Sequence, residues 1–399
     1  MAAYPVRMSI RFTAAQRRAR LVARHGLGGP WPPPAGPVEV ARDLVALHST
    51  DPATVYLSVA ARAPIVPGDL QRALYEERTL VRMLGMRRTV FVVPVEVAPA
   101  IQAGCAEAIA ANQRRGLLAL LTEAKVATDP AAWLDEVGDR TVRALAARGE
   151  ASAATLSADE PRLRTQVTVA EGKTYGGQIN ITSRVLFLLA AQGRIVRGRP
   201  GGSWLSTQYK WSTVDNWWPG GLPSMSVAAA RVELARRWLT AYGPATVADL
   251  KWWTGWTLTE TRRALAQLST VDVDLDGGPG VLLKSDVDSE PEREPRAVLL
   301  PALDPTVMGW AGREWYLGGH APALFDRSGN AGPTIWWGGR VVGGWAQRAD
   351  GTVVTRLLED VGRAATRAVD AAAVSVRDWL GEVRVTPRFR TPLERELVG

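Results

Sequence analysis

Few side chains in this sequence can exchange a proton near neutral pH. There are three histidines, His25, His48 and His320, and one cysteine, Cys105. Of these, His48 has the most suggestive neighbours. Residues 44–56 read LVALHSTDPATVY, an apolar run closed by His48 and followed at once by Ser49, Thr50, Asp51 and Pro52. An unperturbed imidazole titrates near pH 6.5, so at pH 7 it is mostly neutral and can accept a proton from water. A threonine hydroxyl can donate to that water and accept from it. In an extended stretch residues i and i+2 share a side, so His48 and Thr50 would face one way and Ser49 the other. Such a pair is suited to holding a hydrolytic water. The structural alternative is a partly buried histidine that caps the apolar helix. Asp51 also has two readings. Asp-Pro opens helices, with the carboxylate as N-cap and proline at the first position, and the same carboxylate could stabilise positive charge developing on a substrate.

Other chemistries find little support. A single cysteine excludes an internal disulfide framework and a Cys-rich metal site, and no Cys/His spacing suits zinc. The glycine-rich GLGGP and KTYGGQ stretches lack the strand, Lys-Ser/Thr and helix context of a phosphate loop. A His-Ser-x-Asp run within one short segment is not a hydrolase triad, whose members come from separate elements. No cofactor is expected.

The elements that must position His48 follow a recurring pattern. Residues 13–24 read as a helix capped by Thr13, and 38–48 as a second with Val40, Leu44 and Leu47 on one face. Residues 69–84 read as a third, with Leu70, Leu74 and Leu80 on its apolar side, followed by a strand in RRTVFVVPV. The order recurs in a helix over 131–148 stopped by Gly149, a short helix in SAATLS, a helix closed at Gly193, and a hairpin from RIVRGRP to QYKWS. It recurs again from residue 227: a helix, TVADLKWWTG, a helix opened by the Thr257/Glu260 capping-box spacing, and a hairpin with a Gly-rich turn. Three helix-helix-helix-hairpin units are the main organisational expectation. The charged segment 289–296, SEPEREPR, reads as a linker. Beyond it, short β runs suggest a small antiparallel sheet or barrel, with a late helix over 364–380 and a basic surface tail.

At 399 residues the chain is long enough for several domains, and its 46% hydrophobic and 22% charged content is that of a folded globular protein. No run is long and apolar enough for a membrane span and no secretory signal opens the chain, so a cytoplasmic, nucleoid-associated protein without a membrane partner is expected. The net charge is +8, and the basic residues are nearly all arginine, with lysine only at 125, 173, 210, 251 and 284. Arginine suits bidentate phosphate contacts, and a basic balance favours an acidic partner such as nucleic acid; arginine-rich coding bias produces the same composition.

The helix ending in ALHSTDP, LVRMLGMRRTVFVVP, SRVLFLLAAQGRIVR, GPATVADLKWWTG and the late LLPALDP with GGRVVGGWA occur in an order and spacing that resemble the AlkZ/YcaQ family of bacterial winged-helix DNA glycosylases, across residues 10 to 390. The resemblance implies an α+β chain of three tandem winged-helix units and a small C-terminal antiparallel β-barrel, C-shaped around DNA. The corresponding segments are 9–100 with the catalytic stretch, 101–222 with a linking helix, 223–290, and 294–399. It further implies a monomer that acts on double-stranded DNA containing an alkylated purine. The activity implied is a monofunctional glycosylase that needs no metal or cofactor, directed at bulky N7-guanine adducts, with crosslink unhooking and self-resistance to a genotoxic natural product as extensions. The alternative is a non-catalytic winged-helix regulator or adduct binder.

The sequence departs from that family at its centre. Where AlkZ-like members carry Gln-x-Gln and YcaQ-like members Gln-x-Asp, this chain has His48-Ser49-Thr50; where many relatives read Thr-x-His, it has Thr89-Val90-Phe91. His48, Thr50 and Asp51 are thus the candidate catalytic residues. Candidate DNA contacts are Arg82, Arg87, Arg88 and Thr89 by the first strand, Arg197 and Arg199 with Arg194 by the second hairpin, and Arg262 and Arg263 on the third unit's last helix. Trp336 and Trp337 precede a Gly-Gly-Arg hairpin signal that would probe a groove, although most of the sixteen tryptophans are expected in packing.

Overall fold

The computed structural model describes residues 10–29, 35–169, 177–288 and 293–399. Residues 173–176 of the KTYGGQ stretch and 289–292 of the 289–296 linker lie outside them. The chain forms two compact units, one from Met1–Leu70 with Arg231–Gly399 and one from Gln71–Ala230. Among the described residues no helix is long and apolar enough to cross a membrane.

In the first unit, Ala14–Arg24 is a helix whose N-terminus carries a reciprocal Thr13–Gln16 capping box. Pro37–Asp43, Pro52–Ala60, Val227–Tyr242, Val247–Thr254 and Leu258–Leu265 are further helices. Thr257 and Glu260 cap the last of them reciprocally, as their spacing predicts. The hairpin after it, Thr270–Leu275 with Gly278–Leu283, gains a third strand, since Ile10–Phe12 pairs with it in parallel. Phe12, Val273, Leu275 and Leu282 are buried together there.

An aromatic cluster fills the centre of this unit. His25 lies edge-on to Tyr242 at 4.8 Å and stacks on Trp310 at 5.8 Å. Trp238 and Trp253 continue the cluster on one side of Tyr242. Tyr316 and Trp336 extend it beyond Trp310. These tryptophans pack, as the composition suggested.

The C-terminal region corrects the barrel expectation. Among the described residues, Val298–Leu300, Thr334–Trp337, Arg340–Gln347 and Val353–Leu357 form a four-stranded antiparallel sheet in chain order, whose outer strands do not pair with each other. The helix Gly362–Leu380 packs against both outer strands. A covered edge needs no closure, and four strands are too few to enclose a filled interior. The expected surface tail is also corrected. Pro392–Val398 is a helix with Leu393 and Leu397 buried against Arg340–Gln347. A Cβ on Gly344 would come within 2.7 Å of Leu393 Cδ2, so glycine is what admits this helix.

In the second unit, Leu80–Gly85 is a strand. The helical reading of 69–84 therefore fails past Tyr75, where the helix Pro67–Tyr75 ends. Leu80, Val81 and Leu84 are buried, and an apolar run of this length suits a covered strand as well as a helix. Five strands of this unit form one sheet in the order Thr89–Pro94, Leu80–Gly85, Ile195–Pro200, Tyr209–Thr213, Glu150–Ala151. The two hairpins that the sequence presented as separate features are joined in it, with Arg82 opposite Arg197. Helices Pro130–Arg148, Ala153–Asp159 and Thr182–Ala191 bury Leu145, Leu156 and Leu189 in the core beside it.

Candidate active site

The segment around His48 is extended, not the end of a helix. The helix Pro37–Asp43 stops five residues before His48. The chain then turns at Val45, whose φ is 65°, and the Ala46 amide donates to the Leu44 carbonyl at 2.7 Å. This is a γ-turn of the rare, strained kind, and a buried β-branched residue is an unusual occupant of it. The Tyr242 hydroxyl donates to the Leu44 carbonyl at 3.0 Å and holds the turn from the aromatic cluster. Leu47–His48 follow as a short strand. His48 is 7% exposed and Ser49 2%, while Thr50 is partly exposed.

Asp51 caps the next helix, Pro52–Ala60. One carboxylate oxygen accepts the Ala53 amide at 3.1 Å, and the other accepts the Arg388 amide at 3.1 Å. Burial raises the Asp51 carboxyl above its ordinary pKa, against the two amides and the Arg388 charge, which act to lower it.

Pro52–Val59 is buried on every side, so its polar groups need internal partners. They have them on one stripe at i, i+4 and i+8. The Thr54 hydroxyl donates to the Ala302 carbonyl at 2.8 Å, and the Ser58 hydroxyl to Asp304 Oδ2 at 2.6 Å. Just past the helix, Arg62 grips both Asp304 oxygens, at 2.8 and 2.9 Å, and donates to the His25 and Ser58 carbonyls. Arg62 and Asp304 side chains are 2% and 0% exposed. Burial pushes the Asp304 carboxyl up, yet the Arg62 charge and the hydrogen bonds from Arg62, Ser58 and the Thr306 amide hold it below the usual value. The Asp304-Pro305 pair of LLPALDP thus anchors the helix that follows the candidate site. Sequence reasoning passed over Arg62 and Asp304, although Thr54, Ser58 and Arg62, spaced by four along an otherwise largely apolar run, were the available signal.

His25 belongs to the same network. The Ala241 carbonyl can only accept, so His25 Nε2 carries the proton and donates to it at 3.1 Å; Nδ1 then accepts from the Thr306 hydroxyl at 2.9 Å. Burial pushes its pKa down to about 3.

The expected DNA contacts divide by environment. In the second unit Arg82 is 2% exposed. It donates to the Tyr75 hydroxyl at 2.7 Å and lies 4.7 Å from the Tyr209 ring centre, so it supports the sheet and is not a surface contact. Arg197 is partly buried against Tyr209 and Trp211, with its pKa lowered first by burial. Arg199 is exposed but bound to Gln71 and Glu76, and Arg194 to Asp139. Arg87 and Arg88, with φ of 52° and 61°, lie in the tip of the hairpin whose second strand opens at Thr89. Arg88 is exposed; Arg87 and Thr89 are partly so.

In the first unit Arg262 and Arg263 are exposed on their helix. Trp336 corrects the groove-probing expectation, being 1% exposed, stacked on Tyr316 and bonded to the Thr334 hydroxyl. Trp337 is partly buried. The Gly338-Gly339 tip of that hairpin is not free either. Gly339 has φ of 76° and packs so closely on the helix Ala14–Arg24 that a Cβ would lie 2.9 Å from Arg18 Cβ.

Comparison with known proteins bears directly on this segment. The model of the AlkZ-like DNA glycosylase family matches residues 41–379, which include the whole of the His48 segment, the buried helix and Asp304. The chain belongs to this family. It is a DNA glycosylase, a hydrolase of N-glycosyl bonds, and DNA is its substrate; the non-catalytic alternative is set aside. Among solved structures, Streptomyces sahachiroi DNA glycosylase AlkZ is similar in fold, with a TM-score of 0.71 and 21% identity over 95% of this chain and 100% of that one. No curated protein matches the chain. Positions 48 and 50 of the glycosylase hold histidine and threonine, with no glutamine at either.

Proposed function

We propose that this glycosylase hydrolyses the N-glycosidic bond of alkylated purines in duplex DNA, with bulky N7-guanine adducts as its substrate class and His48 and Thr50 holding the water. The observation that carries the reading is local. His48 ends a short buried strand, and Thr50, partly exposed, lies two residues on in the bend directly before a helix whose cap is already committed. A purine alkylated at N7 is cationic and leaves without a strong acid. The C1′–N9 electron pair goes to the base, which departs neutral, and the sugar becomes oxocarbenium-like. Water then adds at C1′ and gives up a proton, for which the His48 imidazole is the acceptor. Thr50 orients the same water through its hydroxyl. Positioning and electrostatics supply the rest of the rate.

Asp51 enters this scheme as a cap that fixes the segment, since both its oxygens are occupied by amides. The helix-helix-helix-hairpin orders are read as winged-helix units, in the segments 9–100, 101–222 and 223–290. Arg87, Arg88 and Thr89 and the exposed Arg262 and Arg263 are proposed as contacts to the DNA backbone. Two consecutive left-handed arginines cost about 1–2 kcal/mol each relative to glycine. A hairpin tip that carries them has a use for the charge. Arg82 and Trp336 are not part of the proposal. The protein acts as a monomer in this reading.

The test is incubation with duplexes that carry N7-methylguanine, a bulky N7-guanine adduct or an N7-linked crosslink, with released base and abasic sites as readouts. Release from the bulky adduct by the wild type, and its loss in His48→Ala, is the expected result. No release from any of them would overturn the substrate reading, whereas release undiminished in His48→Ala would overturn the residue assignment.

A further inference from the structure

The hydrolytic segment is tied to the far end of the chain. Asp51 Oδ2 accepts the backbone amide of Arg388 at 3.1 Å, which holds the Arg388 backbone beside Asp51, the residue after Thr50. The backbone around Arg388 is held on both sides. Gln347 accepts the Val385 amide at 2.8 Å and donates to the Val383 carbonyl at 3.1 Å, and Val385 is buried. Beyond Arg388, Thr391 is 1% exposed and Leu393 is buried.

The side chains of this stretch have different fates. Arg384 donates to the carbonyls of Ala349, Gly381 and Val383. Arg390 donates to Glu394 at 2.6 Å. Arg388 is exposed, and among the described residues no hydrogen bond or ion pair occupies its guanidinium. Phe389, 5.8 Å away, is its ring neighbour. Asp51 feels its charge but already serves two amides. A backbone tethered to Asp51 thus delivers the Arg388 guanidinium to the edge of the candidate site.

We infer that Arg388 grips a DNA phosphate flanking the nucleotide under attack, so that the C-terminal segment completes the hydrolytic site. This rests on the reading of His48 and Thr50 as the hydrolytic pair. A nucleotide whose C1′ must meet a fixed water has to be held through its backbone, and phosphate contacts do that in duplex DNA. A guanidinium suits the two phosphate oxygens bidentately.

The test is the salt dependence of binding, measured by fluorescence anisotropy of the full chain with a labelled duplex between about 50 and 200 mM salt. Arg388→Gln is expected to weaken binding several-fold at the low end and to make the slope of log K against log salt shallower by about 0.9, the value of one phosphate contact. Arg388→Lys keeps the charge and should restore the slope. Arg395→Gln removes an equal charge from the neighbouring Pro392–Val398 helix and should leave the slope as in the wild type. A wild-type slope in Arg388→Gln, or an equal loss in Arg395→Gln, would overturn the inference. Binding is read without base release. Duplex bound but not hydrolysed by the wild type therefore counts against the hydrolytic reading, while the slope still decides the role of Arg388.

Discussion

His48 and Thr50 have unequal surroundings and should make unequal contributions. A buried proton acceptor is worth about 10²–10⁴ in rate, so His48→Ala is expected to cut single-turnover base release by that factor with little change in DNA affinity. Thr50→Ala removes one neutral hydrogen bond to a water, worth about 0.5–1.5 kcal/mol, so its loss should be about tenfold or less. Equal effects of the two would contradict the assigned roles. Asp51 is expected to act on stability. Asp51→Ala removes the helix cap and the Arg388 tether and should cost about 1–2 kcal/mol in denaturant unfolding. Asp51→Asn keeps a good cap with only one acceptor oxygen, so it should fall between Asp51→Ala and the wild type.

At the level of elements, the helix Pro52–Ala60 matters because it has no solvent face. Its polar stripe is satisfied by the 302–306 turn, and the Arg62–Asp304 pair closes the contact. Removal of one partner strands the other charge in the interior. Arg62→Ala is accordingly expected to destabilise the protein by about 3–5 kcal/mol, read as a lower denaturant midpoint. A loss below 1 kcal/mol would show that the pair is not the anchor described. Element boundaries were legible where a local signal was read: Thr13 and Thr257 cap helices, and Gly149 and Gly193 sit just past the ends of theirs in left-handed backbone; Asp129 and Ser152 cap helices as well but were passed over. The end of the helix before His48 was not, because Val45 carries no sequence mark of the γ-turn that tertiary contacts impose on it.

For the molecule as a whole, His25 predicts sensitivity to acid. It is neutral in the folded state, with its pKa pushed down by burial from 6.5 to about 3. Between those values the unfolded chain binds the extra proton, so stability is lost as pH falls from about 6.5 toward 3, at up to about 1.4 kcal/mol per unit. Asp304 acts in the same direction lower down. Its folded pKa is depressed, so its contribution is present above the unfolded value and lost as pH falls through the folded one. Unfolding midpoints measured from pH 7 to 4 should fall steadily, and His25→Phe should flatten the upper part of the curve. An unchanged slope in that variant would remove His25 as the cause.

The sequence alone determined the family, the helix caps and stops, the third helix-helix-helix-hairpin order and the dual reading of Asp51, all of which are written in a few adjacent residues or in motifs kept in order. Tertiary structure decided which arginines and tryptophans are surface and which are core, as with Arg82 and Trp336, and whether Leu80–Gly85 is helix or strand. It also brought Arg62 to Asp304 and Arg388 to Asp51, residues more than two hundred positions apart. Caps and turns need only their neighbours, whereas burial and buried charge pairing depend on what the rest of the chain places opposite.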